Sequence, residues 1–69
     1  SIGATVDIRG ESQEKRKFTI VGTEEIDLSS GKISNESPLG RALVGRKVGE
    51  KFSVDTPGGS RSYEILGIT

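Results

Sequence analysis

The chain has 69 residues, enough for one small domain, and its ten basic and ten acidic side chains give a net charge of zero. It contains no Cys, His, Met or Trp, which excludes a disulfide framework, the usual zinc sites and Ser-His-Asp or Cys-His catalysis. Zero net charge argues against nucleic-acid binding through bulk electrostatics, and no apolar run approaches the ~20 residues of a membrane-spanning helix. Because the sequence begins without Met, we expect it to be a piece of a longer protein, and the missing cysteines favour an intracellular origin.

The first half of the sequence predicts an antiparallel hairpin. Apolar and polar residues alternate over Ala4–Arg9 and again over Lys17–Ile20, which is the period-2 pattern of half-buried strands. The residues between them, 10–16, have no apolar side chain and predict a solvated loop. Residues 23–34 predict a second loop, in which a turn at Ser29–Gly31 precedes a short strand at Lys32–Ser34.

Residues 37–45 contain the one convincing helix signal. Ser37 can cap the first amides, and Pro38 suits the first helical position. Gly45 suits the left-handed residue that ends a helix, whereas Gly40 lies inside it and costs about 1 kcal/mol relative to Ala. We therefore expect Gly40 to permit the close approach of another backbone. Residues at i, i+3 and i+4 form one apolar face: Leu39, Ala42 and Leu43.

The last third of the sequence predicts a second hairpin. Alternating segments at 51–55 and 61–68 flank Thr56–Gly59, whose sequence TPGG is a strong turn signal. One helix cannot cover both faces of a parallel sheet. The order of elements therefore predicts a small α+β domain in which an antiparallel sheet folds over the helix.

No group of residues has the spacing of a catalytic or metal site. The glycines match neither a dinucleotide-binding nor a Walker fingerprint. Glu24, Glu25 and Asp27 lie close together but fit no EF-hand pattern, so we interpret them as a solvated acidic loop. Charge is unevenly distributed, with a net −3 over residues 23–36 and +2 over residues 45–51. Such polarity either orients a protein partner or belongs to loops that are merely solvated.

A series of short motifs resembles the C-terminal domain of the bacterial Gre transcription elongation factors. The matching segments are, in chain order, Phe18–Gly22 (FTIVG), Gly31–Ser34 (GKIS), Ser37–Gly45 (SPLGRALVG), Val48–Glu50 (VGE), Thr56–Gly59 (TPGG) and Tyr63–Ile65 (YEI). The resemblance covers essentially the whole chain, so we expect residues 1–69 to form one domain. It implies an FKBP-like fold, in which a bent antiparallel sheet wraps around one short helix.

The resemblance also implies a function. In this family an N-terminal coiled coil, absent from this chain, enters the secondary channel of bacterial RNA polymerase. Acidic residues at its tip help to hold a catalytic Mg²⁺, so that the polymerase cleaves backtracked RNA with its own active site. The present domain is then expected to be a cytoplasmic, monomeric binding module rather than an enzyme. We expect it to need no cofactor, to bind no nucleic acid directly in a sequence-specific way, and not to bind a membrane.

The expected partner-binding residues follow from the same resemblance. In the family, the C-terminal domain docks on the β′ subunit of the polymerase near the channel entrance, through the turn before the helix and the first helical turns. The matching positions in this chain are Glu36, Ser37, Pro38, Leu39 and Arg41. No catalytic or metal-binding residue is expected. Ser37 and Pro38 are also what any helix start favours, so a purely structural role is the competing interpretation.

Two other functions compete with this one. Some Gre-like relatives occupy the same channel and inhibit the polymerase, and the tip of the coiled coil would distinguish them. The FKBP-like architecture also suggests a prolyl isomerase, although fold alone does not supply function. Such isomerases line their pocket with several aromatic side chains including a Trp, whereas this chain has only Phe18, Phe52 and Tyr63.

Overall fold

A curled five-stranded sheet and one short helix make up residues 3–69, the part of the chain that this computed structural model describes; Ser1 and Ile2, the start of the expected domain, lie outside it. Two 3-10 turns, Thr23–Glu25 and Leu28–Ser30, precede the third strand. The predicted α+β class, with a single short helix, is confirmed. The strands and the helix are β1 (Thr5–Gly10), β2 (Lys15–Val21), β3 (Lys32–Ser34), α1 (Pro38–Leu43), β4 (Lys51–Thr56) and β5 (Gly59–Ile68).

The sheet is mixed rather than wholly antiparallel. Its strand order is β3-β2-β1-β5-β4, and the pairs β1–β2, β1–β5 and β4–β5 are antiparallel, as the sequence predicts. The pair β2–β3 is parallel, with Thr19 opposite Lys32 and Val21 opposite Ser34. Parallel neighbours need a long crossover, and residues 22–31, with their two 3-10 turns, supply it. The difference therefore concerns one edge strand.

The first hairpin is longer than the alternation of side chains predicts. The Gly10 N–H donates to the Glu14 carbonyl oxygen at 2.8 Å, and the Gln13 N–H donates to the Gly10 carbonyl oxygen at 3.1 Å. Backbone pairing thus continues into the polar segment that we expected to be loop, and only residues 11–14 connect β1 to β2. Ladder hydrogen bonds use backbone groups, so they do not require apolar side chains.

The core lies between the inner face of the sheet and α1. The side chains of β1 alternate as predicted, with Val6 and Ile8 buried, and α1 contributes the buried Leu43. The half-buried residues that pack against this core are Phe18, Leu39, Ala42 and Tyr63. Within residues 3–69 no helix has the length and apolar character needed to cross a membrane. The buried core residues are Val6, Ile8, Ile20, Ile33, Leu43, Phe52, Val54 and Ile65.

Gly40 sets the distance between α1 and β3. A Cβ atom at this position would overlap the Ser34 carbonyl oxygen and would lie 2.9 Å from the Ser34 carbonyl carbon. The expected close approach of another backbone is confirmed, and that backbone is the end of β3. The turn between β3 and α1 is consequently held against the helix that follows it.

Candidate docking site

Two serines hold the turn between β3 and α1 in one conformation. The carbonyl oxygen of Ser34 accepts hydrogen bonds from the Ser37 N–H at 3.1 Å and the Ser37 hydroxyl at 2.7 Å. The Ser34 hydroxyl oxygen accepts from the Glu36 N–H at 2.9 Å, and the Ser37 hydroxyl oxygen accepts from the Gly40 N–H at 3.0 Å. The predicted helix cap is therefore confirmed. The same bonds fix the backbone of Glu36, so this turn is rigid although it lies at the surface.

Three of the five predicted partner-binding residues are exposed together on this turn: Glu36, Pro38 and Arg41. The Arg41 side chain folds back over the turn, where its Nε donates to the Glu36 carbonyl oxygen at 2.9 Å. Within residues 3–69 the Glu36 carboxylate forms no salt bridge and accepts no hydrogen bond. The turn therefore presents an acid, a proline ring and a guanidinium group to solvent, with the acid available to a partner.

The other two predicted residues, Ser37 and Leu39, contribute to the structure of the turn and the core. Ser37 is half-buried, because its hydroxyl serves both the helix cap and the Ser34 carbonyl. Leu39 is half-buried as well and packs against the core. The structure thus brings all five residues into one turn but exposes them unequally, and their role in partner binding stays a prediction.

A second exposed feature, which the sequence analysis did not single out, follows directly after α1. Val44 and Val48 in the loop between α1 and β4 are 45% and 62% exposed. Gly45, with a φ of 80°, is the left-handed residue that ends the helix, as predicted. Alternation could not reveal these valines, because a Val in a short loop gives no sequence signal for or against burial.

The same loop contains an ion pair that depends on pH. The Glu50 carboxylate accepts from the Lys47 backbone N–H at 2.8 Å and from the Arg46 guanidinium at 3.2 Å. The Lys47 N–H first, and then Arg46, hold the pKa of the Glu50 carboxyl below its usual value. Because the folded-state pKa is lowered, these contacts stabilise the fold at neutral pH, and their contribution is lost as pH falls through the folded pKa.

We expect the substitution Arg46→Gln to raise the pKa of Glu50 towards its usual value without restoring it fully, since the Lys47 N–H remains in place. An NMR titration that follows the Glu50 side-chain carboxyl carbon between pH 2 and 7, a range chosen to bracket ordinary carboxyl values, measures this directly. Lys51→Gln, which removes an exposed charge beside Glu50 without touching this ion pair, is the control. An unchanged Glu50 titration in Arg46→Gln would contradict the described ion pair.

The acidic segment before β3 is exposed and internally bonded. The Asp27 carboxylate accepts from the Ser29 and Ser30 hydroxyls at 2.7 and 2.9 Å, and these bonds lower the pKa of Asp27. Glu24 and Glu25 lie in the first 3-10 turn and are exposed. Within the described residues, no three His, Cys, Asp or Glu side chains converge as metal ligands would.

The family model for "Transcription elongation factor, GreA/GreB, C-term" matches residues 1–69. The chain belongs to this family. The Gre domain is 49% identical over 67 residues to transcription elongation factor GreA of Caulobacter vibrioides strain NA1000, covering 96% of this chain and 43% of that protein. It is 50% identical over 68 residues to GreA of Methylobacterium nodulans, covering 97% of this chain and 43% of that protein.

Solved structures agree with the Gre assignment. Thermus aquaticus Gfh1 superimposes with a TM-score of 0.89 at 31% identity, covering 99% of this chain and 46% of that chain. The GreA/GreB elongation factor of Nitrosomonas europaea gives 0.83 at 34% identity, covering 99% and 57%. The predicted family and fold class are confirmed. This Gre domain spans less than half the length of the curated relatives that it matches.

Proposed function

We propose that this domain anchors a transcription elongation factor to bacterial RNA polymerase. Its family and its relatives named transcription elongation factor GreA support this proposal. Because the chain covers 43% of those relatives, the part of the factor that reaches the polymerase active site would lie in the remaining length. On the resemblance described above, that part is an N-terminal coiled coil that stimulates RNA cleavage by the polymerase. The present domain would act as a non-catalytic, cytoplasmic monomer that needs no direct contact with nucleic acid.

One observation carries the assignment of the docking surface. The Glu36 carboxylate is exposed, has no partner within residues 3–69, and belongs to a turn fixed by Ser34 and Ser37. Because the backbone of the turn is fixed in advance, only the Glu36 side chain has to be ordered when its carboxylate pairs with a base on the partner, which lowers the entropic cost of binding. Pro38 and Arg41 complete the exposed part of the surface. The proposed partner surface is the β′ subunit near the secondary channel.

Neither competing function gains support. Similarity to Gfh1 supports the shared fold and family and does not distinguish an inhibitory factor from a stimulatory one. A prolyl isomerase would need an aromatic pocket. Phe52 is in the core, and Phe18 and Tyr63 are half-buried against it. Docking therefore remains the function that the exposed turn favours.

We expect Glu36→Lys to weaken binding to core polymerase about tenfold or more, because an attractive charge contact becomes a repulsive one. Titration of core polymerase into the labelled domain measures the affinity. Glu11→Lys is the matched control, because it makes the same change in net charge at another exposed residue. Glu11 lies in the β1–β2 loop, next to the start of β2, whereas β3 and the docking turn that follows it lie beside the end of β2.

The control should bind within about twofold of the wild type, since long-range effects of one exposed charge are largely screened at physiological salt. Equal affinities of Glu36→Lys and the wild type would contradict the site. Failure of the wild-type domain to bind polymerase saturably would contradict the proposed function itself.

A further inference from the structure

The loop between α1 and β4 exposes two apolar side chains on a backbone that is held by several hydrogen bonds. Val44 and Val48, which we call the valine pair, are 45% and 62% exposed, whereas Val6, Val21 and Val54 are buried. Single exposed valines are ordinary. Two of them in one loop, separated from the candidate docking turn by the six residues of α1, give apolar area on which a partner could gain burial energy.

Arg46 holds this loop through three contacts. Its Nε donates to the Ala42 carbonyl oxygen at 2.8 Å, and its guanidinium pairs with Glu50 at 3.2 Å. The guanidinium carbon also lies 5.1 Å from the centre of the Phe52 ring, within the range of a cation–π contact. Arg46 thus ties the loop to the end of α1, to Glu50 and to the core at once.

Backbone hydrogen bonds fix the far end of the same loop. The Gly49 N–H donates to the Ile65 carbonyl oxygen at 2.8 Å, and the Ile65 N–H donates to the Glu50 carbonyl oxygen at 2.9 Å. Since Ile65 is a central core residue, the loop is anchored to β5. The valine pair is therefore presented on a preorganised frame, which lowers the ordering cost of any contact it makes.

The valine pair and the docking turn lie at opposite ends of the same short helix. Helix α1 has six residues and is about 9 Å long, so a single partner surface can reach from Glu36 and Pro38 at its start to Val44 at its end. The charges at the two ends differ, with Glu36 before the helix and the exposed Lys47 within the loop. A partner that fits both ends carries a base opposite Glu36, and an apolar patch with an acid opposite the loop.

We infer that the valine pair, with Lys47 beside it, is the second half of the polymerase-docking surface, and that it contacts an apolar, acid-flanked patch on the same face of the polymerase that receives Glu36. This inference rests on the proposed function. Docking then uses both ends of α1, and the apolar contact supplies burial energy while Glu36 and Lys47 set the orientation.

The test compares Val48→Ser with Leu28→Ser in the titration against core polymerase. Leu28 is 76% exposed and lies before β3, at the opposite end of that strand from the docking turn. We expect Val48→Ser to bind about fivefold more weakly, which corresponds to loss of part of one buried Val side chain, and Leu28→Ser to bind like the wild type. Lys47→Gln should also weaken binding, and its affinity should depend less on salt than that of the wild type.

Other outcomes separate this inference from the proposed function. If Glu36→Lys weakens binding and Val48→Ser does not, the valine pair is not part of the surface, although docking through the turn stands. If the wild type sediments as a dimer and Val48→Ser as a monomer with unchanged polymerase affinity, the pair serves self-association and the inference is wrong. If the wild-type domain does not bind polymerase, the proposed function and the inference both fail.

Discussion

Ile65→Ala is expected to remove a large part of the free energy of unfolding of the domain. Ile65 is 1% exposed and sits opposite Ile8 across the β1–β5 pair, at the centre of the core. Truncating a buried Ile to Ala costs about 2–5 kcal/mol, through lost burial and the cavity left behind. At 0.05–0.15 kcal/mol per residue, a domain of this length has a total stability of roughly 3–10 kcal/mol. One side chain therefore accounts for a large part of the whole.

Ile68→Ala is the matched control for this experiment. It removes the same atoms from the same strand, but Ile68 is 41% exposed, so we expect a loss below about 1 kcal/mol. Urea denaturation followed by circular dichroism gives both free energies of unfolding. Similar losses for the two variants would contradict the placement of the core on the inner face of β5.

The elements that the sequence predicted are those whose signal is local. Val6 and Ile8 alternate with polar neighbours, and this pattern identifies both the strand and its buried face. Ser37, Pro38 and Gly45 mark the ends of α1 because cap geometry depends on only a few adjacent residues. The turn Thr56–Gly59 joins β4 and β5 for the same reason. Local chemistry therefore suffices for these segments.

The parallel position of β3 could not be predicted in this way. Lys32–Ser34 is only three residues long, and its direction relative to β2 depends on how residues 22–31 cross over. That path is set by tertiary packing, in particular by Ile33 entering the core beside Ile20. A pattern of three residues does not indicate which strand will pair with it or in which direction. Motif resemblance identified the family but did not by itself give the pairing direction.

The candidate site shows the same division between local and tertiary signals. Motif resemblance located the turn Glu36–Arg41, but it did not distinguish the exposed Glu36 and Pro38 from Ser37 and Leu39, which serve the cap and the core. The exposure of Val48 could not be predicted, because an apolar residue in a loop is buried or exposed according to what packs over it. The contacts of Arg46 with Glu50 and Phe52 gave no sequence signal either, since they depend on the folded loop.

Gly40→Val is expected to destabilise the domain by about 3 kcal/mol, at the upper end of the usual cost of overpacking. A Cβ at position 40 would overlap the Ser34 carbonyl oxygen, and no rotamer of Val relieves this overlap, because the position of Cβ does not depend on χ1. The neighbour that must move is backbone rather than a flexible side chain. Either α1 or β3 must therefore shift, and thermal unfolding followed by circular dichroism measures the cost.

The control is Gly22→Val, because a Cβ at Gly22 meets no atom within 4 Å and its φ of −70° and ψ of 160° suit a β-branched residue. It should leave stability unchanged or raise it slightly, by restricting the unfolded chain. Since the Ser34 carbonyl also accepts both bonds from Ser37, the shift in Gly40→Val should release the turn that holds Glu36. After correction for the unfolded fraction, Gly40→Val should then still bind polymerase more weakly than the wild type. Unchanged stability would mean that α1 and β3 are not in contact at Gly40.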